Sequence, residues 1–308
     1  MRKIIGVGET ILDIIFKNNQ PAQAVPGGSI FNGLVTLGRL QVTTAFVSEL
    51  GNDKVGRIIL DFMQENNIST EHVDCFPDGQ SPIALAFLND KNDAEYLFYK
   101  DYPKQRLDVV LPRINPDDIL IFGSFYALNP TLREKMVEIL EYAKERKAII
   151  YYDPNFRKSH VDESIKLMTS LIENLEYADI VRGSDEDFRN LYKMDDLSAV
   201  YKNKIRFYCP NFICTRGDKG VMLCTQKLQK EYSVPSIEAL STIGAGDNFN
   251  AGILFGLLKY NVLRADLENL SEEMWAKIIQ CAIDFSTEVC QSYDNYVSKE
   301  FAQKYLAK

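Results

Sequence analysis

The sequence is poor in the residues that much metal and nucleophile chemistry requires. It contains only two histidines, His72 and His160, which leaves little material for a histidine-rich zinc site or a Ser/His/Asp system. Six cysteines are present without a C-x-x-C pair, and several lie in apolar runs, where a buried reduced thiol is expected. We therefore expect a reducing compartment, the cytoplasm.

The sequence also lacks an excess of basic residues and a membrane-spanning segment. The 35 Lys and Arg residues are outnumbered by 43 Asp and Glu, giving a net charge of −8, which argues against a nucleic-acid partner. No run approaches the roughly 18 apolar residues that span a bilayer, and residues 1–6 do not start a secretory signal. We expect neither a nucleic-acid nor a membrane partner. The 308 residues, 46% of them hydrophobic, have an ordinary globular composition and allow one large α/β domain or two.

A small-residue turn before an apolar run is the most informative segment. Gly244, Ala245, Gly246 and Asp247 precede the apolar residues 253–258, a pattern that predicts a loop leading into a helix. Glycine lets a ligand approach the backbone, and the first N–H groups and dipole of the helix attract an anion. Asp247 is then either a helix cap, the commoner role, or a base that deprotonates a hydroxyl attacking a phosphate.

Beyond residue 110 the pattern alternates between strands and helices. The predicted strands are 119–122, 148–152, 180–181 and 212–215, and the predicted helices are 130–145, 162–173 and 185–192. This order favours a mostly parallel sheet with helices on both faces, which binds ligands at the carboxyl ends of its strands. Residues 81–88 and 95–99 predict a β-hairpin outside this alternation, with a polar turn at 89–93.

Gly6 and Gly8 do not complete a dinucleotide fingerprint, because Ile11 stands where the third glycine is required. Two other features near the N-terminus suit a polar ligand. Asp13 interrupts an apolar strand, where it either protects a sheet edge or binds a polar ligand. Gly27 and Gly28 precede a predicted helix that contains Asn32, whose amide can donate to and accept from a vicinal diol.

These segments together resemble the ribokinase-like (PfkB-type) carbohydrate kinases. The similarity extends over nearly the whole chain through five ordered motifs, of which residues 244–247 are the most specific. It implies a three-layer, doubly wound, mostly parallel α/β fold forming a single domain over residues 1–308. It also implies a small β-lid formed from approximately residues 11–25 and 81–101, through which some family members dimerise.

The resemblance also implies roles for individual residues. It assigns the anion hole to Gly244, Ala245 and Gly246, and the catalytic base to Asp247. The implied sugar-binding residues are Asp13, Gly27, Gly28, Asn32, Gly51, Asp53, Tyr99 and Arg157. The implied nucleotide-binding residues are Asn155, Ser184, Thr215, Gly217 and Gly220, with Asp187 reaching a metal through water. Plainer interpretations remain open: an N-cap with an acidic first turn at 184–187, a tight turn at 216–220, and a half-buried sheet that needs aromatic residues near Tyr99.

The implied activity is ATP- and Mg²⁺-dependent phosphorylation of a sugar. The sequence Asp153-Pro154-Asn155-Phe156-Arg157 is typical of fructokinases and ketodeoxygluconate kinases, so fructose is the first choice, ahead of ribose, ketodeoxygluconate and nucleosides. Three departures motivate an alternative, a sugar-binding protein that has lost turnover: Ser241, Ser184 and the lack of Gly-Ala near residues 291–295. Ser241 replaces the usual aspartate of a monovalent-cation site, which predicts weak K⁺ activation. An unrelated oxidoreductase is disfavoured, because no complete dinucleotide fingerprint exists.

Overall fold

A computed structural model describes residues 2–88, 94–104 and 106–307 of the chain. The polar turn expected at residues 89–93 therefore lies outside the described residues. The strands are β1 (Ile4–Val7), β2 (Ile11–Lys17), β3 (Gln20–Gly27), β4 (Thr44–Gly51), β5 (Ile68–Ser69), β6 (Val73–Phe76), β7 (Gln80–Leu88), β8 (Ala94–Asp101), β9 (Ile119–Gly123), β10 (Ile149–Asp153), β11 (Ile180–Ser184), β12 (Asn211–Thr215), β13 (Val221–Cys224) and β14 (Gln229–Tyr232). The helices are α1 (Ser29–Arg39), α2 (Lys54–Glu65), α3 (Arg133–Glu145), α4 (Ser164–Tyr177), α5 (Asp185–Tyr192), α6 (Leu197–Val200), α7 (Ala245–Lys259), α8 (Glu272–Cys290) and α9 (Lys299–Leu306). No helix in these ranges combines the length and the apolar character needed to cross a membrane.

A large sheet forms the centre of the protein. Its strand order is β14-β13-β12-β11-β10-β9-β1-β4-β5, and β6 also pairs with β4. Neighbours from β12 to β5 run parallel, whereas β13 and β14 are antiparallel additions at one edge. Residues of β1 are fully buried on both faces, as expected for a central strand of a parallel sheet.

Two hydrophobic clusters lie on opposite faces of this sheet. Ile4 belongs to the cluster beneath α1, α2, α7, α8 and α9, whereas its neighbour Ile5 belongs to the cluster beneath α3, α4, α5 and α6. Successive strand residues point to opposite faces, so β1 alone contributes to both cores. The result is the three-layer arrangement that the sequence predicts.

The carboxyl ends of neighbouring strands bring candidate residues to one edge of the sheet. β10, β11 and β12 are parallel neighbours and end at Asp153, Ser184 and Thr215. The last residue of β4, Gly51, lies at the same edge because β4 is parallel to β1. Ligand-binding loops of open α/β sheets collect at this edge.

A second, smaller sheet has the order β3-β2-β7-β8. β2 is antiparallel to β3 and parallel to β7, and β8 is antiparallel to β7. Paired residues in a ladder point to the same face of a sheet. Asp13 pairs with Ala84, which pairs with Phe98, whereas Tyr99 pairs with Ile83 on the opposite face.

Hydrogen bonds attach the small sheet to the large one. At the start of β7, Ser81 donates through its amide to Asp53 Oδ2 and through its hydroxyl to Asp53 Oδ1, both at 2.8 Å. At the end of β8, Lys100 Nζ and the Tyr102 hydroxyl each donate to the Glu9 carboxylate at 2.7 Å. The second contact joins the small sheet to the loop that follows β1.

Candidate active site

The N-terminus of α7 has the features of an anion site. Its N-cap, Gly244, has φ of 77°, and no side chain caps the helix. The Ala245 amide donates to the Thr242 carbonyl at 3.3 Å. The amides of Gly246 and Asp247 are first-turn donors with no intrahelical partner, and within the described residues no acceptor is found for them. Uncapped donors at the positive end of a helix suit a phosphate.

Asp247 does not cap α7. Its Oδ2 instead accepts a hydrogen bond from Asn32 Nδ2 at 2.8 Å, so the capping interpretation that the sequence left open has no support in the geometry. Asn32 is only 5% exposed, and its Oδ1 is buried without a hydrogen-bond partner in the part of the chain that the structure describes. Buried polar atoms are normally satisfied, and an unpaired carbonyl oxygen beside a carboxylate suits a hydroxyl-bearing ligand.

The backbone at Gly28 fixes where α1 starts. Gly28 is the N-cap of α1 with φ of 141°, a region that residues with a side chain rarely occupy. A Cβ there would lie 2.4 Å from the Glu9 carbonyl oxygen. The close approach of the two loops therefore requires glycine, and it sets the position of Asn32 one turn later.

The electrostatic environment of Asp247 suits a general base. Burial raises its pKa to about 7. The hydrogen bond from Asn32 and the charges of Arg157 and Arg182 act against this shift, whereas the charge of Asp153 adds to it. A base whose pKa lies near the working pH is efficient, because it is deprotonated yet still accepts a proton readily.

Asp13 is a second perturbed carboxylate near the same cation. Its Oδ2 lies against the backbone of Gly27, where a Cβ would be 2.5 Å away. Burial raises the pKa of Asp13 to about 7, and the charge of Arg157 opposes the shift. The charge of Arg157 therefore acts on both Asp13 and Asp247.

A buried ion pair below α7 was not assigned from the sequence. Arg182 on β11 is 6% exposed and donates through Nη1 to Asp153 Oδ2 at 3.0 Å and through Nη2 to Thr215 Oγ1 at 2.7 Å. Asp153 also accepts from Asn250 Nδ2 of α7 at 2.6 Å. A Cβ on Gly246 would be 3.0 Å from Arg182 Nη1. The available signal was a charged residue in the short apolar strand 180–184, next to a strand that ends in an aspartate.

The predicted nucleotide-binding residues lie at adjacent strand ends and in the loop after β12. Asn155, with φ of 37°, follows β10, and its amide donates to Asp153 Oδ1 at 2.9 Å. Thr215 ends β12 and accepts from Arg182. Gly217 has φ of 57°, and a Cβ there would meet no atom within 4 Å, whereas a Cβ on Gly220 would lie 2.3 Å from the Tyr232 carbonyl oxygen. Of these two glycines, only Gly217 therefore leaves open space toward a ligand.

Ser184 and Asp187 form a capping box at the start of α5. The Ser184 hydroxyl accepts from the Asp187 amide at 3.1 Å, and the Ser184 amide donates to Asp187 Oδ2 at 2.7 Å. The plain N-cap interpretation is therefore present in the geometry, and it leaves Asp187 Oδ1 for another partner. Burial, with the charge of Asp153 adding to it, raises the pKa of Asp187.

The donor set fits a phosphate-held Mg²⁺ better than a protein-only metal site. Across residues 2–88, 94–104 and 106–307, no group of three or more His, Cys, Asp or Glu side chains could hold a metal ion. Mg²⁺ commonly keeps several waters and is bound through substrate phosphates and one or two carboxylates. Asp187, at the same edge of the sheet as α7, is available for such a water-mediated contact.

Three of the predicted sugar-binding residues have surroundings that differ from those of the others: Gly51, Asp53 and Tyr99. Asp53 caps α2 by accepting from the Gly56 amide at 2.7 Å and also accepts twice from Ser81, which in turn bonds Gly51. Partial burial acts to raise the pKa of Asp53, but the hydrogen bonds from Gly56 and Ser81 outweigh it and hold the pKa below its usual value. Tyr99 is 58% exposed on the face of the small sheet opposite to Asp13. Phe98 is the aromatic residue in the row of Asp13, and the sugar-binding role of Tyr99 stays a prediction.

Comparison with known proteins gives one consistent family. The pfkB family of carbohydrate kinases matches this chain over residues 1–300. A fructokinase of Rhizobium leguminosarum bv. trifolii is 28% identical over 281 residues, covering 88% of this chain and 84% of the relative. Probable fructokinase-3 of Arabidopsis thaliana is 25% identical over 268 residues, covering 82% and 76%.

Solved structures agree with the fold. A double mutant of Vibrio cholerae O395 fructokinase, in a fructose-, ADP- and potassium-bound form, aligns with a TM-score of 0.83 at 21% identity, over 99% of this chain and 98% of its own. Aminoimidazole riboside kinase from Salmonella enterica, with aminoimidazole riboside and an ATP analogue, aligns with a TM-score of 0.80 at 21% identity, over 99% and 100%. By the match over nearly its whole length, the chain belongs to the pfkB family of carbohydrate kinases.

Proposed function

We propose that the chain phosphorylates a sugar at the expense of ATP, and that fructose is the preferred sugar. The single observation that supports this best is the contact between Asp247 and Asn32 beside the uncapped N-terminus of α7. It combines a base and an anion site in the first turn of α7 with a buried unpaired acceptor on α1. The similarity to proteins named fructokinase and the form of residues 153–157 favour fructose.

Asp247 acts as the general base in this proposal. Its Oδ2 accepts from Asn32, which leaves Oδ1 to receive the proton of the attacking sugar hydroxyl. Asp13 and the free Oδ1 of Asn32 accept hydrogen bonds from other hydroxyls of the sugar. Arg157, with Gly27 and Gly28 forming the backbone wall, completes the sugar pocket.

The N-terminus of α7 stabilises the charge that develops during transfer. ATP supplies the phosphoryl group, and Mg²⁺ neutralises part of its charge. The amides of Gly246 and Asp247, which have no acceptor among the described residues, stabilise that group as it passes between the two oxygens, with dipoles that need no reorganisation, and Ala245 completes the turn that holds them. Ser184, Asn155, Thr215, Gly217 and Gly220 hold the nucleotide along the neighbouring strand ends, and Asp187 reaches the metal ion through water.

The small sheet closes over the sugar as a lid in this proposal. Residues 1–308 form one kinase domain, from which β2, β3, β7 and β8 project as the lid. Closure excludes water, which would otherwise compete with the sugar as phosphoryl acceptor. Leu97 and Phe98 on β8 are 48% and 57% exposed, which supports a homodimer through the lid. The six cysteines are unpaired, which supports a cytoplasmic location.

One experiment separates the candidate functions. ADP release is followed with a coupled assay over fructose, ribose, ketodeoxygluconate and a set of nucleosides, with Mg²⁺ present. We expect the highest kcat/KM with fructose. A higher value for a nucleoside, the substrate class of the Salmonella relative, would replace the sugar assignment and retain the kinase. Sugar binding by calorimetry without ADP release would instead favour the non-catalytic sugar-binding protein.

A further inference from the structure

Arg182 is a buried cation whose position is unusual for a structural ion pair. It lies on β11 near the carboxyl edge of the sheet, and among the described residues its Nε is buried without a hydrogen-bond partner. Burial acts to lower the pKa of Arg182, but the charge of Asp153 and its hydrogen bond, with Tyr151 and Asp187 adding to them, together outweigh burial and keep the guanidinium charged. A buried ion pair adds little net stability, because desolvation offsets most of the attraction.

The guanidinium lies directly behind the anion site. A Cβ on Gly246 would be 3.0 Å from Arg182 Nη1, 3.2 Å from Nη2 and 3.6 Å from Cζ. The Arg182 Cζ is also 5.3 Å from the centre of the Phe249 ring, one turn further along α7. The guanidinium therefore packs against the first turn of α7 on the side of Gly246 and Phe249.

Asp153 holds this guanidinium in position and also forms a hydrogen bond with α7. Its Oδ2 accepts from both Arg182 Nη1 and Asn250 Nδ2, and Asn250 Oδ1 accepts from the Tyr151 hydroxyl at 2.9 Å. One carboxylate thus links β10, β11 and α7. The Arg182 guanidinium thus lies beside amides that carry only partial positive charges, and the Asp153 carboxylate, which contacts it, offsets part of its charge.

We propose that Arg182, held by Asp153, is a positioning residue for phosphoryl transfer: it supports the first turn of α7 through Gly246 and adds positive charge behind the anion site. The inference rests on the proposed kinase function and concerns the same site. In this role Arg182 contacts neither the sugar nor the base and acts through the backbone of α7.

Two substitutions separate this role from simple stabilisation. R182K retains the charge, but a single ammonium group cannot reproduce the flat guanidinium that bonds Asp153 and Thr215 together. R182M removes the charge and keeps a similar apolar length. We expect kcat to fall about 10-fold in R182K and about 100-fold in R182M, approaching the loss seen when one direct oxyanion donor is removed, while KM for the sugar changes less than twofold.

The pH profile gives a readout that a structural role would not produce. The charged groups acting on Asp247 are Asp153, Arg157 and Arg182. Since Arg182 acts to lower the pKa of Asp247 and Asp153 acts to raise it, R182M shifts the acid limb of kcat to higher pH and D153N shifts it to lower pH. The same shifts are measured without ATP or sugar by ¹³C NMR titration of labelled aspartate carboxyls, with the Asp247 signal identified by its loss in D247N.

A second, partly buried ion pair supplies the control. Arg264 donates through Nε and Nη2 to Asp179, which precedes β11 at the amino edge of the sheet. R264K is expected to change the melting temperature without changing kcat or the Asp247 titration. Proportional loss of stability and activity in R182K, with an unmoved Asp247 titration, would overturn the proposal. A wild-type protein inactive toward every sugar would instead overturn the kinase function, and the NMR titration would still test the coupling.

Discussion

Asn32 and Asp247 are 215 positions apart in the chain, yet the amide of one donates to the carboxylate of the other at 2.8 Å. Asn32 lies in the first half of α1 and Asp247 in the first turn of α7. The two helices pack so that a Cβ on Gly33 would lie 3.1 Å from the Asp247 carbonyl oxygen. Their mutual position therefore sets the distance between the proposed sugar pocket and the proposed anion site.

The first prediction concerns the base. Asp247→Asn keeps the size of the side chain and can still accept from Asn32, but it cannot take a proton. We expect kcat to fall by about two to four orders of magnitude, with little change in the sugar dissociation constant. Steady-state kinetics and calorimetry measure the two quantities separately. Turnover close to that of the wild type would remove Asp247 from the role of base.

The second prediction is the pH dependence of stability. Burial raises the pKa of Asp247 to about 7, well above the roughly 3.9 of an unfolded aspartate, so the folded protein binds an extra proton between these values. Its contribution to stability is present below the unfolded pKa and is lost as pH rises through about 7. D247N removes this term, so we expect its melting temperature to exceed that of the wild type more at pH 8 than at pH 5. Equal differences at both pH values would contradict the raised pKa.

The third prediction compares two carboxylates assigned to sugar binding. Asp13 has no hydrogen-bond partner among the described residues, whereas Asp53 accepts from Gly56 and Ser81. Asp13→Ala should weaken sugar binding by roughly 1.5 to 3 kcal/mol, as for a lost hydrogen bond to a charged group, and Asn32→Ala by roughly 0.5 to 1.5 kcal/mol. Asp53→Ala should mainly lower stability, by about 1 to 2 kcal/mol for the lost cap.

Calorimetric titration with the sugar and chemical unfolding test this contrast together. Ser81→Ala is the matched control, because it removes the hydroxyl donor to Asp53 without touching a proposed pocket residue. If sugar affinity falls in Asp53→Ala and stays constant in Asp13→Ala, the pocket lies toward α2 and the assignment of Asp13 is wrong.

Local signals predicted the fold and part of the site. The bounds predicted for helix 185–192 match α5, because a capping serine with acidic residues after it marks a helix start in the sequence itself. The helix after Gly244 was predicted as well, because small residues precede a long apolar run, but α7 already begins at Ala245, inside the segment predicted as a loop. The paired glycines before Asn32 predicted where α1 starts, because glycine adopts backbone conformations that other residues avoid.

Features that depend on strand pairing could not be predicted in this way. The ion pair between Asp153 and Arg182 arises because β10 and β11 are neighbours, which no residue in either strand encodes alone. The face of the small sheet that Tyr99 occupies likewise depends on the register of β7 with β8, which shifts between Gln80 and Ile83. A shift of one residue moves a side chain to the other face.

The last prediction concerns activation by K⁺. Ser241 stands where the resemblance leads one to expect an aspartate, and its Oγ accepts a hydrogen bond from the Ile243 amide at 3.2 Å. A serine oxygen is neutral, so a bound cation would lack a compensating charge there. We expect turnover in K⁺ and in a bulky organic cation to agree within about twofold, or about 0.4 kcal/mol. Equal ionic strength in both assays removes general screening.

Ser241→Asp is the matched gain-of-function variant, and it should acquire a K⁺ dependence that the wild type lacks. Saturable, several-fold activation of the wild type by K⁺ would mean that backbone carbonyls or another carboxylate form the cation site without a carboxylate at position 241.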